Sequence, residues 1–324
     1  MENILKLLLN DYTFRTVAAG CTLLGTVSGI LGCFAVLRRQ SLLGDAVSHA
    51  SLPGICGIYL LTGSRNVELL LLGGLITGLA CIGLIHIIEK YSKIKFDSAL
   101  AFILSVFFGG GLVLLSYLNR LPGADKAGLN RFIFGQASTF IERDIGIIFF
   151  VGIVLLVLII AFWKELKVVS FDAEFAETLG FSGKKVKLLI SVMIVVTVMV
   201  TVQVAGVVLV SALLVSPAVA ARQWTDKLSV MVLLAGFLGG ASGLAGTVLS
   251  MGEKGVPTGP VIVTVISVAV IFSMMFSFKR GIVFKILRNR NSRKAFIKEM
   301  HDIRELKKVK LNPERRSKSD RNFF

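Results

Sequence analysis

Apolar runs of about 20 residues, separated by short charged or turn-rich breaks, recur along the chain; at 1.5 Å per residue that length spans the hydrocarbon of a bilayer. They fall at Thr16–Leu37, Leu42–Leu61, Glu68–Ile88, Ser98–Leu118, Ile145–Phe162, Leu188–Val204, Gly206–Ala221, Leu228–Leu249 and Pro260–Phe278. Lipid offers the backbone no hydrogen-bond partner, so each run is read as a helix. The pattern predicts an all-α, polytopic membrane protein with about nine transmembrane helices. The count is eight if Gly206–Ala221, which is short and contains Pro217, is broken or re-entrant.

Three segments follow from the same pattern. Residues 1–13 hold Ile4, Leu5, Leu7, Leu8 and Leu9 without the basic start or small-residue cleavage site of a signal peptide, and are read as an interfacial segment. Residues 14–278 form the membrane domain. Residues 279–324 form a basic tail.

Composition agrees with a lipid solvent: hydrophobic residues are 54% of the 324 and charged residues only 17%. Glycines concentrate inside the runs, as Gly25 and Gly29, as Gly109 to Gly111, and as Gly236, Gly239, Gly240, Gly243 and Gly246. Such stripes let membrane helices approach closely. Cys21, Cys33, Cys56 and Cys81 all lie in apolar runs with no CxxC pair, so they are read as small core residues rather than a disulfide or zinc framework.

Charge adds a direction. From Lys279 onward there are 16 Lys or Arg against five Asp or Glu, so this tail carries +11 of the chain's +16. Positive charge beside spans marks the cytoplasmic side. With Arg38, Arg39, the Lys90–Lys95 cluster, Lys164–Lys187, Arg222 and the tail all inside, nine spans close with the N-terminus outside and the C-terminus cytoplasmic. The tail is read first as a contact for anionic membrane lipid. Nucleic acid is not an expected partner, since no recognition module or aromatic platform accompanies the charge.

The candidate chemistry lies in the second run, Leu43-Gly-Asp-Ala-Val-Ser-His-Ala-Ser-Leu-Pro-Gly54. Asp45 and His49 are four apart, which puts them on one helical face one turn from each other. Pro53 has no N–H for the carbonyl of His49, leaving that oxygen free. Ionisable groups within a span are costly and mark pathways or sites, and a carboxylate with an imidazole suits a divalent transition metal. His86 and His301 are read as structural or solvated. A second feature lies in the polar connection Lys164–Lys187. Within it Ser170-Phe-Asp-Ala-Glu-Phe-Ala-Glu-Thr-Leu-Gly180 predicts a two-turn helix, with Ser170 or Asp172 as N-cap, Glu174 in the first turn and Gly180 as the stop. Phe171, Phe175 and Leu179 give it one apolar face, suited to docking.

The first motif, together with Phe132-Ile-Phe-Gly-Gln-Ala-Ser138 and Gly206-Val-Val-Leu-Val-Ser-Ala-Leu-Leu-Val-Ser-Pro-Ala-Val-Ala220, resembles the integral membrane permeases of bacterial manganese, zinc and iron ABC importers over about residues 14 to 278. The resemblance implies an ABC importer permease fold related to the vitamin B12 and iron-chelate permeases, in the bacterial inner membrane. It implies a second permease, identical or a sister chain, two ABC ATPase subunits and an extracytoplasmic metal-binding protein. The transported ion is then substrate, no cofactor is held permanently, and Asp45 and His49 are the metal residues. The short helix, with Phe171, Asp172, Glu174, Phe175 and Gly180, stands where such permeases couple to the ATPase. The chain has no GxxxxGK[ST] loop, so hydrolysis is expected on partner subunits and this chain is read as no enzyme. The ligand types do not choose among manganese, zinc and iron.

Three rivals stay open. A permease for iron chelates or a vitamin needs no acid and histidine in register. An intramembrane hydrolase would use Asp45 and His49 as acid and base, with only Ser48 or Ser51 near enough as nucleophile. A secondary metal transporter is expected to carry carboxylates in several spans, and Asp45 is the clear one here.

Overall fold

The computed structural model describes residues 12–63, 66–120, 142–207, 210–252, 256–286 and 300. Most of the N-terminal segment (1–11), the Phe132–Ser138 motif and most of the tail with His301 lie outside the described residues. Among those described, eleven helices follow in order: α1 Tyr12–Leu37, α2 Leu43–Thr62, α3 Val67–Tyr91, α4 Phe96–Leu118, α5 Glu142–Ala161, α6 Trp163–Phe171, α7 Ala173–Thr178, α8 Gly183–Ala205, α9 Val210–Trp224, α10 Leu228–Gly252 and α11 Thr258–Phe276. The expected all-helical architecture is present, and the helix limits lie close to the predicted runs.

Six of these helices, α1, α3, α4, α8, α10 and α11, contain segments long and apolar enough to cross a membrane, and α5 with α6 makes up to seven. The expected count of about nine is therefore not reached by length and composition alone. The difference has two causes. The ionisable pair lowers the hydropathy of α2, and α9 is only 15 residues long.

One element was not foreseen. The connection after α5 turns through 72° and continues as α6, which buries Leu166 and Val169 and exposes Lys164 and Lys167. This amphipathic helix precedes the short α7.

The bundle is organised around α1 and α8. In each, 67% of the most apolar window is buried, against 33% for α3, 28% for α4 and 22% for α11, whose outer faces are exposed. The predicted glycine stripes of α1 and α10 are contact lines, whereas in α4 only Gly111 of the Gly109–Gly111 run packs against a neighbour. A Cβ on Gly25 of α1 would overlap the Gly239 carbonyl of α10, and one on Gly243 would overlap the Cys21 carbonyl. Likewise Gly54 of α2 abuts the Gly73 carbonyl of α3. Hydroxyls inside the bundle are satisfied locally: Thr197 and Thr201 donate to carbonyls one turn back, at 2.9 and 2.7 Å. All four cysteines are free and buried, as expected.

Because the Gly25–Gly239 approach is backbone on backbone, a side chain there can be accommodated only by separating the helices. Gly25→Leu is expected to destabilise the bundle by about 3 kcal/mol, the upper part of the range for overpacking. The yield of monodisperse protein in detergent and its thermal midpoint should both fall. Gly109→Leu, at an open position with nothing within 4 Å, should leave both unchanged.

At one end of the bundle a polar clasp ties the segment after α11 to the α9–α10 turn. Asp226 takes Lys279 at 3.1 Å and Arg280 at 2.7 Å, while Trp224 Nε1 donates to Ser273 Oγ at 3.0 Å. The hydrogen bond from Lys279, aided by the charges of Lys279, Arg280 and Arg222, holds the Asp226 carboxyl below its ordinary range against some desolvation. Its stabilising effect is thus present above that range and lost as pH falls through the lowered value.

Candidate metal site and coupling surface

Helix α2 is packed between α3, α4, α8 and α9, and from Leu43 to Gly57 nearly all of it is buried. The exceptions are Asp45, His49, Pro53 and Gly57, which recur every four residues and form one half-exposed stripe. The predicted site residues therefore occupy the open line of an otherwise enclosed helix. An apolar sequence at these positions would complete a buried helix, so the stripe is where α2 meets something other than its own bundle.

Asp45 lies in the first turn of α2. There the carboxylate faces the positive end of the helix dipole, which lowers the cost of keeping it ionised. His49 follows one turn on. Its Nε2 is 3.6 Å from Asp45 Oδ1, too far for a hydrogen bond but close enough for both to reach one ligand. The side chains are 37% exposed for Asp45 and 19% for His49, so the pair opens to one side.

The imidazole is held by packing. Its ring meets Phe108 of α4 edge-on, with centroids 4.5 Å apart, and its Nδ1 is buried with no hydrogen-bond partner among the described residues. Phe108 was not singled out by sequence reasoning. Its neighbour Gly111 gives the reason for the close approach of α4, since a Cβ there would lie 2.9 Å from Pro53 Cδ. Pro53 itself is carried within a continuous helix, so it shapes the α2–α4 contact without ending α2.

The nearby serines are committed elsewhere. Ser48 donates to the Asp45 carbonyl at 2.8 Å and Ser51 to the Ser48 carbonyl at 2.6 Å, and both are fully buried. Neither is presented as a nucleophile to the Asp45–His49 pair. Among the described residues no three His, Cys, Asp or Glu side chains gather to hold an ion. Among the described residues the pair brings two donor side chains together, half of what a four-coordinate ion takes.

The second predicted feature forms in shorter shape: α7 is six residues long, and Phe171 closes α6 before the break at Asp172 rather than sharing one helix with Phe175. Asp172 is the N-cap of α7 and accepts from the amides of Glu174 at 3.1 Å and Phe175 at 3.0 Å. Ser170, the other candidate cap, instead closes α6 with its side chain buried. Gly180 stops the turn in a left-handed conformation (φ +85°), which only glycine adopts without strain. Ala176 anchors α7 to the core, while Phe171, Phe175 and Leu179 stay more than half exposed, and Glu174 is exposed beside them. The predicted metal pair and the predicted coupling residues lie on different elements and are not brought together.

Comparison with known proteins matches the described fold to a family. The ABC 3 transport family covers residues 10–277. The zinc transport system membrane protein TroC of Treponema pallidum is 46% identical over 283 residues, which is 87% of this chain and 95% of that one. The manganese transport system membrane protein MntC of Bacillus subtilis is 41% identical over 288 residues, 89% of this chain and 66% of that one. Among solved structures, PsaBC from Streptococcus pneumoniae in complex with Fab superposes with a TM-score of 0.75 at 26% identity, covering 86% of this chain and 97% of that chain. With the family matched across nearly the whole helical bundle, this multi-pass membrane chain belongs to the ABC 3 transport family.

Proposed function

We propose that this chain is the membrane permease of an ATP-driven importer of divalent transition metal ions, and that two permease copies hold the ion between them. The observation that carries the reading is the open stripe on α2, where Asp45 and His49 face out of the subunit. A two-fold axis beside that stripe brings two carboxylates and two imidazoles together. Two Asp charges offset those of a divalent cation, and neutral imidazoles complete a mixed oxygen and nitrogen set. Such a set takes zinc as readily as manganese. The names of the two relatives, one a zinc and the other a manganese system, support the metal class without choosing within it.

In this reading α2 and α9 cross the membrane with the seven candidate spans, giving nine, with the N-terminus outside and the basic tail 279–324 cytoplasmic against anionic lipid. Helix α7 then faces the cytoplasm. The exposed Phe175 of α7, with Phe171 at the end of α6 and Leu179 just after α7, seats in a groove of an ATPase subunit, and an extracytoplasmic metal-binding protein delivers the ion at the opposite face. Nucleotide binding moves α7, the motion passes through α6 and α8, and access to the Asp45–His49 pair changes sides.

ATP dependence separates this reading from a secondary transporter. Proteoliposomes carrying the permease with its co-purifying ATPase should accumulate manganese or zinc only with ATP. Accumulation driven equally by a proton gradient without ATP would exclude the importer. The chelate-permease alternative predicts uptake of complexed iron in preference to free ions, and competition between the two in one assay decides it.

A further inference from the structure

A cavity of about 320 Å³ opens between the end of α3 and the start of α8, lined by His86, Glu89, Lys90, Lys184 and Lys187. It lies on different helices from the α2 stripe, and its α8 side adjoins α7, where a Cβ on Gly183 would sit 3.4 Å from Glu177 Oε1. Its charges decide what it can hold. Lys187 Nζ sits 2.6 Å from both oxygens of Glu89, so the only acid lining it is already neutralised. The buried Arg38 guanidinium also bears on Glu89: burial pulls its pKa down while Glu89 pulls it up. Lys90 and Lys184 then remain without a carboxylate partner among the described residues, and both are exposed. His86 Nδ1 donates to the Ile82 carbonyl, 2.9 Å away, while its Nε2 is buried with no hydrogen-bond partner among the described residues.

His86 and Glu89, three apart, would otherwise serve as metal donors. Three lysines in the same cavity repel a cation, and Glu89 has both oxygens occupied, so the site is built for an anion. Its surroundings identify the kind. On the two helices that line it, Leu84, Ile87 and Tyr91 of α3 and Leu188 of α8 are exposed apolar or interfacial side chains, the kind of surface that acyl chains and headgroups cover. We propose that this cavity binds the phosphate of an anionic phospholipid, with Lys90 and Lys184 as its charge partners and the acyl chains along the exposed faces of α3 and α8.

The test is lipid retention by the full-length permease in detergent, measured by native mass spectrometry with phosphatidylglycerol, phosphatidylcholine and glycerol phosphate as probes. Wild type should retain phosphatidylglycerol selectively. The Lys90→Gln/Lys184→Gln pair should weaken it by about 10- to 30-fold, from the usual contribution of each lysine near a lipid surface. The Lys90→Arg/Lys184→Arg pair should keep it, and Lys93→Gln/Lys95→Gln, on the exposed turn outside the cavity, should change it little. Equal retention of phosphatidylcholine, an unchanged affinity in the Gln pair, or an equal loss in the control pair would overturn the site. Displacement of the lipid by an equal concentration of glycerol phosphate would overturn the lipid assignment.

Discussion

His49→Ala is expected to abolish metal uptake while leaving the bundle assembled, with metal affinity down by more than about 100-fold. The bound rests on a comparison: changing a group that merely orients a metal ligand already costs about 10- to 100-fold, and this substitution removes a donor from both copies at once. The fold should tolerate it, because the ring lies on the half-exposed stripe and contacts Phe108 at its edge rather than filling the core. Asp45→Ala should act at least as strongly, since it also removes two charges that offset the cation. Asp45→Asn separates the parts of that effect: the amide keeps an oxygen donor but not the charge, so uptake should remain low if neutralisation dominates. Equilibrium metal binding and vesicle uptake, each beside size-exclusion profiles, check all three. Normal uptake by His49→Ala would remove the ion from this stripe.

The second large effect is on coupling. Phe175→Asp replaces an exposed apolar side chain on α7 with a charge, and Gly180→Val forces a β-branched residue into a left-handed conformation at a cost of about 1–3 kcal/mol. Both changes are remote from Asp45 and His49. Metal binding by the permease should therefore be retained while uptake falls by an order of magnitude or more and ATP turnover no longer responds to metal. Phe175→Leu, which keeps the apolar contact, should restore most of the uptake. Glu174→Gln tests whether charge at the start of α7 contributes. An unchanged ratio of ATP hydrolysed to metal moved in both Phe175→Asp and Gly180→Val would exclude α7 from coupling.

The positions of the long helices were legible because lipid makes helix the only outlet for an apolar run, and charged breaks mark where each run ends. Leu42–Leu61 became Leu43–Thr62, and Phe96–Leu118 differs from its expected span by two residues. The cap of α7 was legible for a local reason, since Asp172 needs only amides two and three residues on. What was not legible depends on contacts between distant segments. Phe108 beside His49, Lys187 on Glu89 across 98 residues, and the backbone contact of Gly25 with Gly239 leave no local pattern. The glycine stripes pointed to close packing without naming partners. Helix α6 was missed because its nine residues alternate buried and charged positions within a stretch that reads as a polar connection.

The central claim is that a metal ion sits between two copies of the Asp45–His49 pair. Pulsed electron paramagnetic resonance of manganese(II) bound to the purified permease tests it directly, because nitrogen coupled to the ion reports a bound imidazole. The chain has only three histidines, so assignment needs few variants. Coupling to two equivalent histidine nitrogens, lost in His49→Ala and retained in His86→Ala, is the result predicted here. Bound manganese with no nitrogen coupling, or coupling that survives His49→Ala, would contradict it.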